Sequence, residues 1–212
     1  MKNGLKQISN AKSFIITSLI FVLIGGLLLM TQDKIEIHLS INEKHNLFLD
    51  YFFSFWTHLG DGLFTFAAVV IIGLFAFKTY RYSTFALGIS TLVLAGALSQ
   101  LLKRVVFDDA LRPKELIGAE KLYFVPGIDV HSLLSFPSGH TAAGFAFMGF
   151  VACLFFSKNK FAQLLLAITA VLIGYSRMYL SQHFLEDVVA GAILGILSFS
   201  IAFFVKGTFQ KK

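Results

Sequence analysis

Acidic residues are scarce in this chain, and whole stretches lack them. Only 12 Asp and Glu stand among 212 residues, against 18 Lys and Arg; charged residues make up 14% of the chain and apolar ones 56%. So low a charge fraction excludes an ordinary soluble domain. The single cysteine, Cys153, excludes a disulfide framework and a thiolate zinc site, and its apolar surroundings place it in the core. What the sequence has instead is long apolar helices rich in phenylalanine, 25 residues of it, as in a membrane protein.

Charge-free runs define the expected spans. Ser13 to Gln32 is the first, long enough at about 1.5 Å per residue to cross a hydrocarbon core of roughly 30 Å. It exceeds a signal-peptide core, and Leu29-Met30-Thr31-Gln32 offers no A-x-A cleavage site, so it is expected to remain attached. Gly62 to Phe77 is the second, with its start as early as Thr57; Tyr82 to Leu102 is the third. Pro137 to Ser157, Phe161 to Ser176 and Val188 to Val205 complete an all-α, polytopic, six-span fold in one domain over residues 1–212. Residues 46–56 read either as an interfacial amphipathic helix anchored by Tyr51 and Trp56 or as the outer turn of the second span.

Six spans sort the charges. Lys2, Lys6, Lys12, Lys78, Arg81, Lys158, Lys160, Lys206, Lys211 and Lys212 fall on one side with none of the 12 acidic residues. By the positive-inside rule that side, with both termini, is cytoplasmic. This segregation, rather than nucleic-acid binding, accounts for the net charge of +6.

Three polar clusters then fall at the outer ends of spans, where they can meet: Lys103-Arg104, Pro137-Ser138-Gly139-His140, and Ser176 through Asp187. A histidine four residues before an acid is, alone, equally compatible with a solvated helix start. Together the clusters have complementary uses. The amides of Ser138 and Gly139 at a helix start can donate to an anion. Lys103, Arg112 and Arg177 can stabilise charge on phosphoryl oxygens. His183, oriented by Asp187, can attack phosphorus, and His140 can protonate the leaving oxygen and later activate water, with no metal or other cofactor required.

These clusters resemble the three-part motif of the type 2 phosphatidic acid phosphatase superfamily, which also includes glucose 6-phosphatase and the vanadium haloperoxidases. The family pattern is K-x6-R-P, then P-S-G-H, then S-R-x5-H-x3-D. Residues 137–140 match the second part without change, and Ser176-Arg177 through His183 to Asp187 match the third at both spacings. The first part departs: eight residues separate Lys103 from Arg112 and seven separate Arg104 from it. The reading favours Lys103, with a local bulge at residues 107–109 absorbing the excess. The likeness covers residues 51–191.

The resemblance implies catalytic His183, His140 and Asp187, and phosphate-binding Lys103, Arg112, Ser138, Gly139 and Arg177. The expected function is a lipid phosphatase working through a phosphohistidine at the outer face of a bacterial inner membrane. Its expected substrate is an isoprenyl pyrophosphate, ahead of phosphatidylglycerol phosphate, phosphatidic acid or lipid A phosphate. The alternatives are a lipid or phosphate transporter or binding protein without hydrolysis, and a vanadium haloperoxidase.

Overall fold

A computed structural model of the chain describes residue 6, residues 8–76 and residues 81–209. Lys2, Phe77, Lys78, Lys211 and Lys212 of the expected pattern lie outside the described residues. Helices make up all the regular secondary structure of the described residues. In order they are α1 (Lys12–Thr31), α2 (Lys34–Asn42), α3 (Leu47–Trp56), α4 (Gly62–Ala76), α5 (Arg81–Leu101), α6 (Pro113–Ile117), α7 (Gly139–Phe155), α8 (Lys160–Tyr179) and α9 (Leu185–Phe209).

Four of these segments are long and apolar enough to cross a bilayer: Lys12–Thr31, Tyr82–Val106, Lys160–Tyr179 and Leu185–Lys206. A fifth arises if α3 with its 3₁₀ turn and α4 form one broken span, bent by 59° between Gly60 and Gly62. The α3 segment continues into α4, yet it lies at an angle to it. Its face is also reversed from that of a soluble helix, because Asp50 and Phe53 are buried while Leu47, Phe48, Tyr51 and Phe55 are exposed. Trp56 donates its indole N–H to the Thr169 carbonyl at 3.4 Å, so it is seated on α8.

The central helix is α7, flanked by α9, α8 and α5. It is apolar and only 17 residues long. In lipid, apolar surface alone gives helices little reason to associate, and close backbone approach through small residues takes over. Gly191 and Gly195, spaced four apart on α9, supply it. A Cβ on Gly191 would stand 2.5 Å from the Ser138 carbonyl oxygen, and one on Gly195 2.6 Å from that of Ala142. Both obstacles are backbone and cannot swing away. Gly191→Ala is therefore expected to destabilise the fold by about 1–3 kcal/mol. Gly26→Ala, whose added Cβ would meet nothing within 4 Å, should leave thermal unfolding in detergent nearly unchanged.

A buried polar network ties α2 and α3 to the chain between α8 and α9. Asp50 accepts from Tyr179 at 2.6 Å, from His45 at 2.7 Å and from Tyr123 at 3.0 Å. Ser181, held at φ +53°, accepts from Asn42 at 3.2 Å and meets His38 Nε2 at 3.2 Å. Burial, and then the nearby His45, push His38 down to about 4. The folded protein thus holds this imidazole neutral while the unfolded chain titrates near 6.5. The resulting stability is complete above pH 6.5 and is lost as the pH falls toward 4. Over that interval the loss should reach roughly 3 kcal/mol. Thermal unfolding between pH 7.5 and 4.5 should show this decline, and His38→Phe should lessen it.

Candidate active site

His183 follows α8 and precedes α9, so it does not share a helical face with Asp187, although a spacing of four would place the two on one face of a helix that began at His183. The contact forms anyway, because Asp187 in the first turn of α9 reaches back. Its Oδ2 lies 3.1 Å from His183 Nδ1 and accepts the Phe184 backbone N–H at 2.9 Å, which is half of a capping box. The Ser135 hydroxyl donates to the same oxygen at 2.5 Å. An ionised carboxylate only accepts, so Nδ1 carries the imidazole proton and Nε2 keeps its lone pair. Burial, followed by the charges of Arg112, Lys103 and Arg177, holds the His183 imidazole well below the ordinary histidine value. It is neutral at pH 7, the form a nucleophile requires.

The cations are gathered by the loop before α7. A π-helical turn at Leu102–Val106 ends α5, closed by the Phe107 N–H on the Leu102 carbonyl at 2.9 Å. The extra residue of that wide turn sits before residues 107–109, where the bulge was expected. A second turn, Ala110 N–H to the Phe107 carbonyl, absorbs the remaining excess. Lys103 is thereby turned inward and buried, and its ammonium donates to the Leu134 carbonyl at 2.7 Å. Arg104 points outward and bonds Gln100 at 3.2 Å. Arg112 donates to the Leu133 carbonyl at 2.9 Å and the Gln182 carbonyl at 2.8 Å. Leu134 adopts φ +56°, a strained conformation for leucine. It is the turn that presents consecutive carbonyls to Lys103 and Arg112.

Arg177, in the last turn of α8, is also buried. One of its terminal nitrogens donates to Thr57 Oγ1 at 2.7 Å, and its Nε has no partner. Three buried cations therefore share the site with one buried carboxylate, Asp187, which is already committed to three donors. Buried positive charge in surplus is costly unless an anion joins it.

Ser138 caps α7: its Oγ accepts the Thr141 hydroxyl at 2.9 Å and, at 3.4 Å, the Thr141 N–H. The Ser138 N–H donates to the Asp187 carbonyl at 2.9 Å, locking the start of α7 to that of α9, so this amide is not available to an anion as the sequence had suggested. Gly139 and His140 form the first turn of α7, whose amides favour an anion. The His140 side chain is one-third exposed, and its Nε2 lies 3.6 Å from Asp61 Oδ2.

The structure thus brings together His183, Asp187, His140, Ser138, Gly139, Lys103, Arg112 and Arg177. The sequence reading missed Ser135, which stands two residues before the P-S-G-H run and supports Asp187. It missed Thr57 and Gln182, the partners of Arg177 and Arg112, and Asp61 beside His140. Only Ser135 had a signal, its adjacency to a motif; the others are common polar residues whose meaning is purely spatial.

The PAP2 superfamily model matches residues 85–211. Phosphatidylglycerophosphatase B of Bacillus subtilis is 35% identical over 165 residues, which cover 73% of this chain and 72% of that protein. Lipid A 4'-phosphatase of Bacteroides thetaiotaomicron is 29% identical over 164 residues, covering 76% of this chain and 71% of that one. The crystal structure of the PAP2 type phosphatidylglycerolphosphate phosphatase from Bacillus subtilis aligns with a TM-score of 0.62 and 25% identity over 94% of this chain and 96% of that chain. A family match over more than half the sequence and a structural likeness over nearly all of it give the same answer: the chain belongs to the PAP2 superfamily, as a multi-pass membrane phosphatase.

Proposed function

We propose that this protein hydrolyses a lipid phosphomonoester or pyrophosphate through a phosphohistidine at the outer face of a bacterial cytoplasmic membrane. The observation that carries this reading is the surplus of buried cations around a neutral His183 whose Nε2 lone pair is free. A phosphate dianion seated among Lys103, Arg112, Arg177 and the first amides of α7 would balance that charge. His183 Nε2 attacks phosphorus, the bond to the lipid oxygen breaks, and His140 gives that oxygen its proton. Water, deprotonated by His140, then displaces the imidazole, and inorganic phosphate leaves.

A lipid substrate is supported by a cavity of about 420 Å³ that starts at Gly139 and His140 and extends past Thr65, Phe66, Leu92 and Val93 of α4 and α5. Phe66 and Val93, which line it, are exposed where lipid would surround them. Six spans fit if α7 counts as one. Seventeen residues are at the short limit for crossing. Such a length suits a helix that begins inside the cradle, below the membrane surface. With that count the basic ends at Lys12, Lys158, Lys160 and Lys206 share the cytoplasmic side, opposite the site.

Among lipids, the similarity to phosphatidylglycerophosphatase B puts phosphatidylglycerol phosphate ahead of the isoprenyl pyrophosphate favoured on sequence. The test is phosphate release by purified protein in buffer containing EDTA, with phosphatidylglycerol phosphate, phosphatidic acid, lipid A and undecaprenyl pyrophosphate as substrates. Release should be fastest from phosphatidylglycerol phosphate. Movement of these lipids across vesicles with no phosphate released would sink the reading in favour of a transporter.

Lys103→Ala is expected to lower kcat/KM by about 100-fold or more, as for loss of a charge-stabilising donor. Arg104→Ala should stay within about twofold, since its side chain lies outside the cradle. Steady-state kinetics on phosphatidylglycerol phosphate separates the two.

A further inference from the structure

Asp61 belongs to none of the three motifs. It stands at the 59° break between the α3 segment and α4, flanked by two glycines. Gly60 permits the position, because a Cβ there would stand 2.7 Å from the His140 carbonyl oxygen. The 3₁₀ turn is therefore pressed directly against the start of α7. The two carboxylate oxygens of Asp61 face different ways. Oδ1 accepts the Leu63 N–H at 2.8 Å and the Phe64 N–H at 3.3 Å, capping α4, while Oδ2 faces His140 Nε2 at 3.6 Å.

The charges that reach His140 are those of Arg177, Arg112 and Lys103 on one side and of Asp61 on the other. His183 is the remaining neighbour that responds to it. A general acid must hold its proton when the substrate arrives, and three cations oppose a fourth positive charge. Asp187 is not among the charges that reach His140, and its Oδ2 is turned to Ser135, Phe184 and His183. At 3.6 Å the contact with Asp61 is longer than a hydrogen bond and becomes an ion pair when the ring is protonated, so the ring stays free to give its proton elsewhere.

We propose that Asp61 is a positioning residue for the leaving-group step, fixing the orientation of the His140 ring at the mouth of the lipid cavity and stabilising its imidazolium once the substrate's phosphate dianion has joined the three cations. This rests on the reading of His140 as general acid. In that step the imidazolium transfers one proton to the departing lipid oxygen and becomes neutral. The water that cleaves the phosphohistidine returns a proton to it, and Asp61 remains a carboxylate throughout.

Asp61→Asn separates charge from capping, because asparagine caps a helix as well as aspartate does. The variant is compared with the parent, with His140→Ala and with the double variant on two substrates. Phosphatidic acid has an alkoxide leaving group that needs a proton; p-nitrophenyl phosphate has a phenolate that departs without one. The parameter is kcat/KM, which stops at formation of the phosphohistidine and so excludes the later role of His140 as base. Asp61→Asn should lower it by about tenfold or more on phosphatidic acid and by less than about threefold on p-nitrophenyl phosphate. His140→Ala should show the same selectivity at larger amplitude, and adding Asp61→Asn to it should cost nothing further. Equal losses on both substrates, no loss on either, or additivity with His140→Ala would overturn the role of Asp61. A His140→Ala variant that loses both substrates equally would instead remove the general-acid reading beneath it.

Discussion

Replacing His183 by alanine should reduce phosphate release by about 10⁴-fold or more, as when a nucleophile is deleted from a site whose parts act as a unit. The cradle of Lys103, Arg112 and Arg177 would survive the change, so lipid binding should weaken far less than turnover. The parent, quenched with base during turnover of a ³²P-labelled substrate, should carry an alkali-stable and acid-labile label, as a phosphoramidate does; the alanine variant should carry none. A label that persists in His183→Ala would place the covalent intermediate elsewhere. The pH profile gives a second reading of the same residue. On the proposed mechanism the neutral imidazole is the active form, and burial with three neighbouring cations holds it well below the ordinary histidine value. The activity controlled by His183 is therefore retained through pH 6.5 and lost only at more acidic pH. Because kcat/KM reports the free enzyme, its acid limb attributable to His183 should lie below the position of an unperturbed histidine.

Much of this site was legible in the sequence because its geometry is local. Three residues separate His183 from Asp187, and Pro137 to His140 is the start of a helix with its cap included. Such relations survive folding with little dependence on the rest of the chain. The first cluster was harder for the same reason. Lys103 and Arg112 meet through a π-helical turn, a second turn and a loop of exposed carbonyls, and a residue count cannot choose between two adjacent cations when the turn geometry is unknown. Their burial differs and favours Lys103, which is inside while Arg104 is outside. Asp61 and Thr57 were not legible at all. They act across 79 and 120 residues of chain, through a bend that an apolar run conceals. The fold shows a similar division. Charge-free runs located the long helices, but the break in the second run and the close seating of α7 on Gly191 and Gly195 depend on packing.

The second large effect is expected from Asp187→Asn, which changes one atom and keeps the shape. Asp187 Oδ2 accepts from Ser135 at 2.5 Å, from the Phe184 amide at 2.9 Å and from His183 Nδ1 at 3.1 Å. Asparagine offers one oxygen and one NH₂ group in place of two acceptors. If its oxygen keeps the Phe184 and Ser135 bonds, its NH₂ turns away and Nδ1–H is left with a weaker acceptor. If its NH₂ faces the ring, it donates to Nδ1, the imidazole proton moves to Nε2, and the lone pair aimed at phosphorus is gone. Loss of the correct tautomer with the geometry otherwise intact costs about 10⁴-fold in the analogous Ser-His-Asp arrangement. A loss of roughly 10³- to 10⁴-fold in kcat is therefore expected here, with KM changed little. The removed charge also counts: Asp187 is the buried carboxylate that offsets Lys103 and Arg112, so the variant leaves those cations more exposed to one another. Phosphate or vanadate should then bind the variant at least as tightly as the parent while turnover collapses. A combined fall in anion binding and kcat would mean that Asp187 builds the cradle instead of orienting the nucleophile.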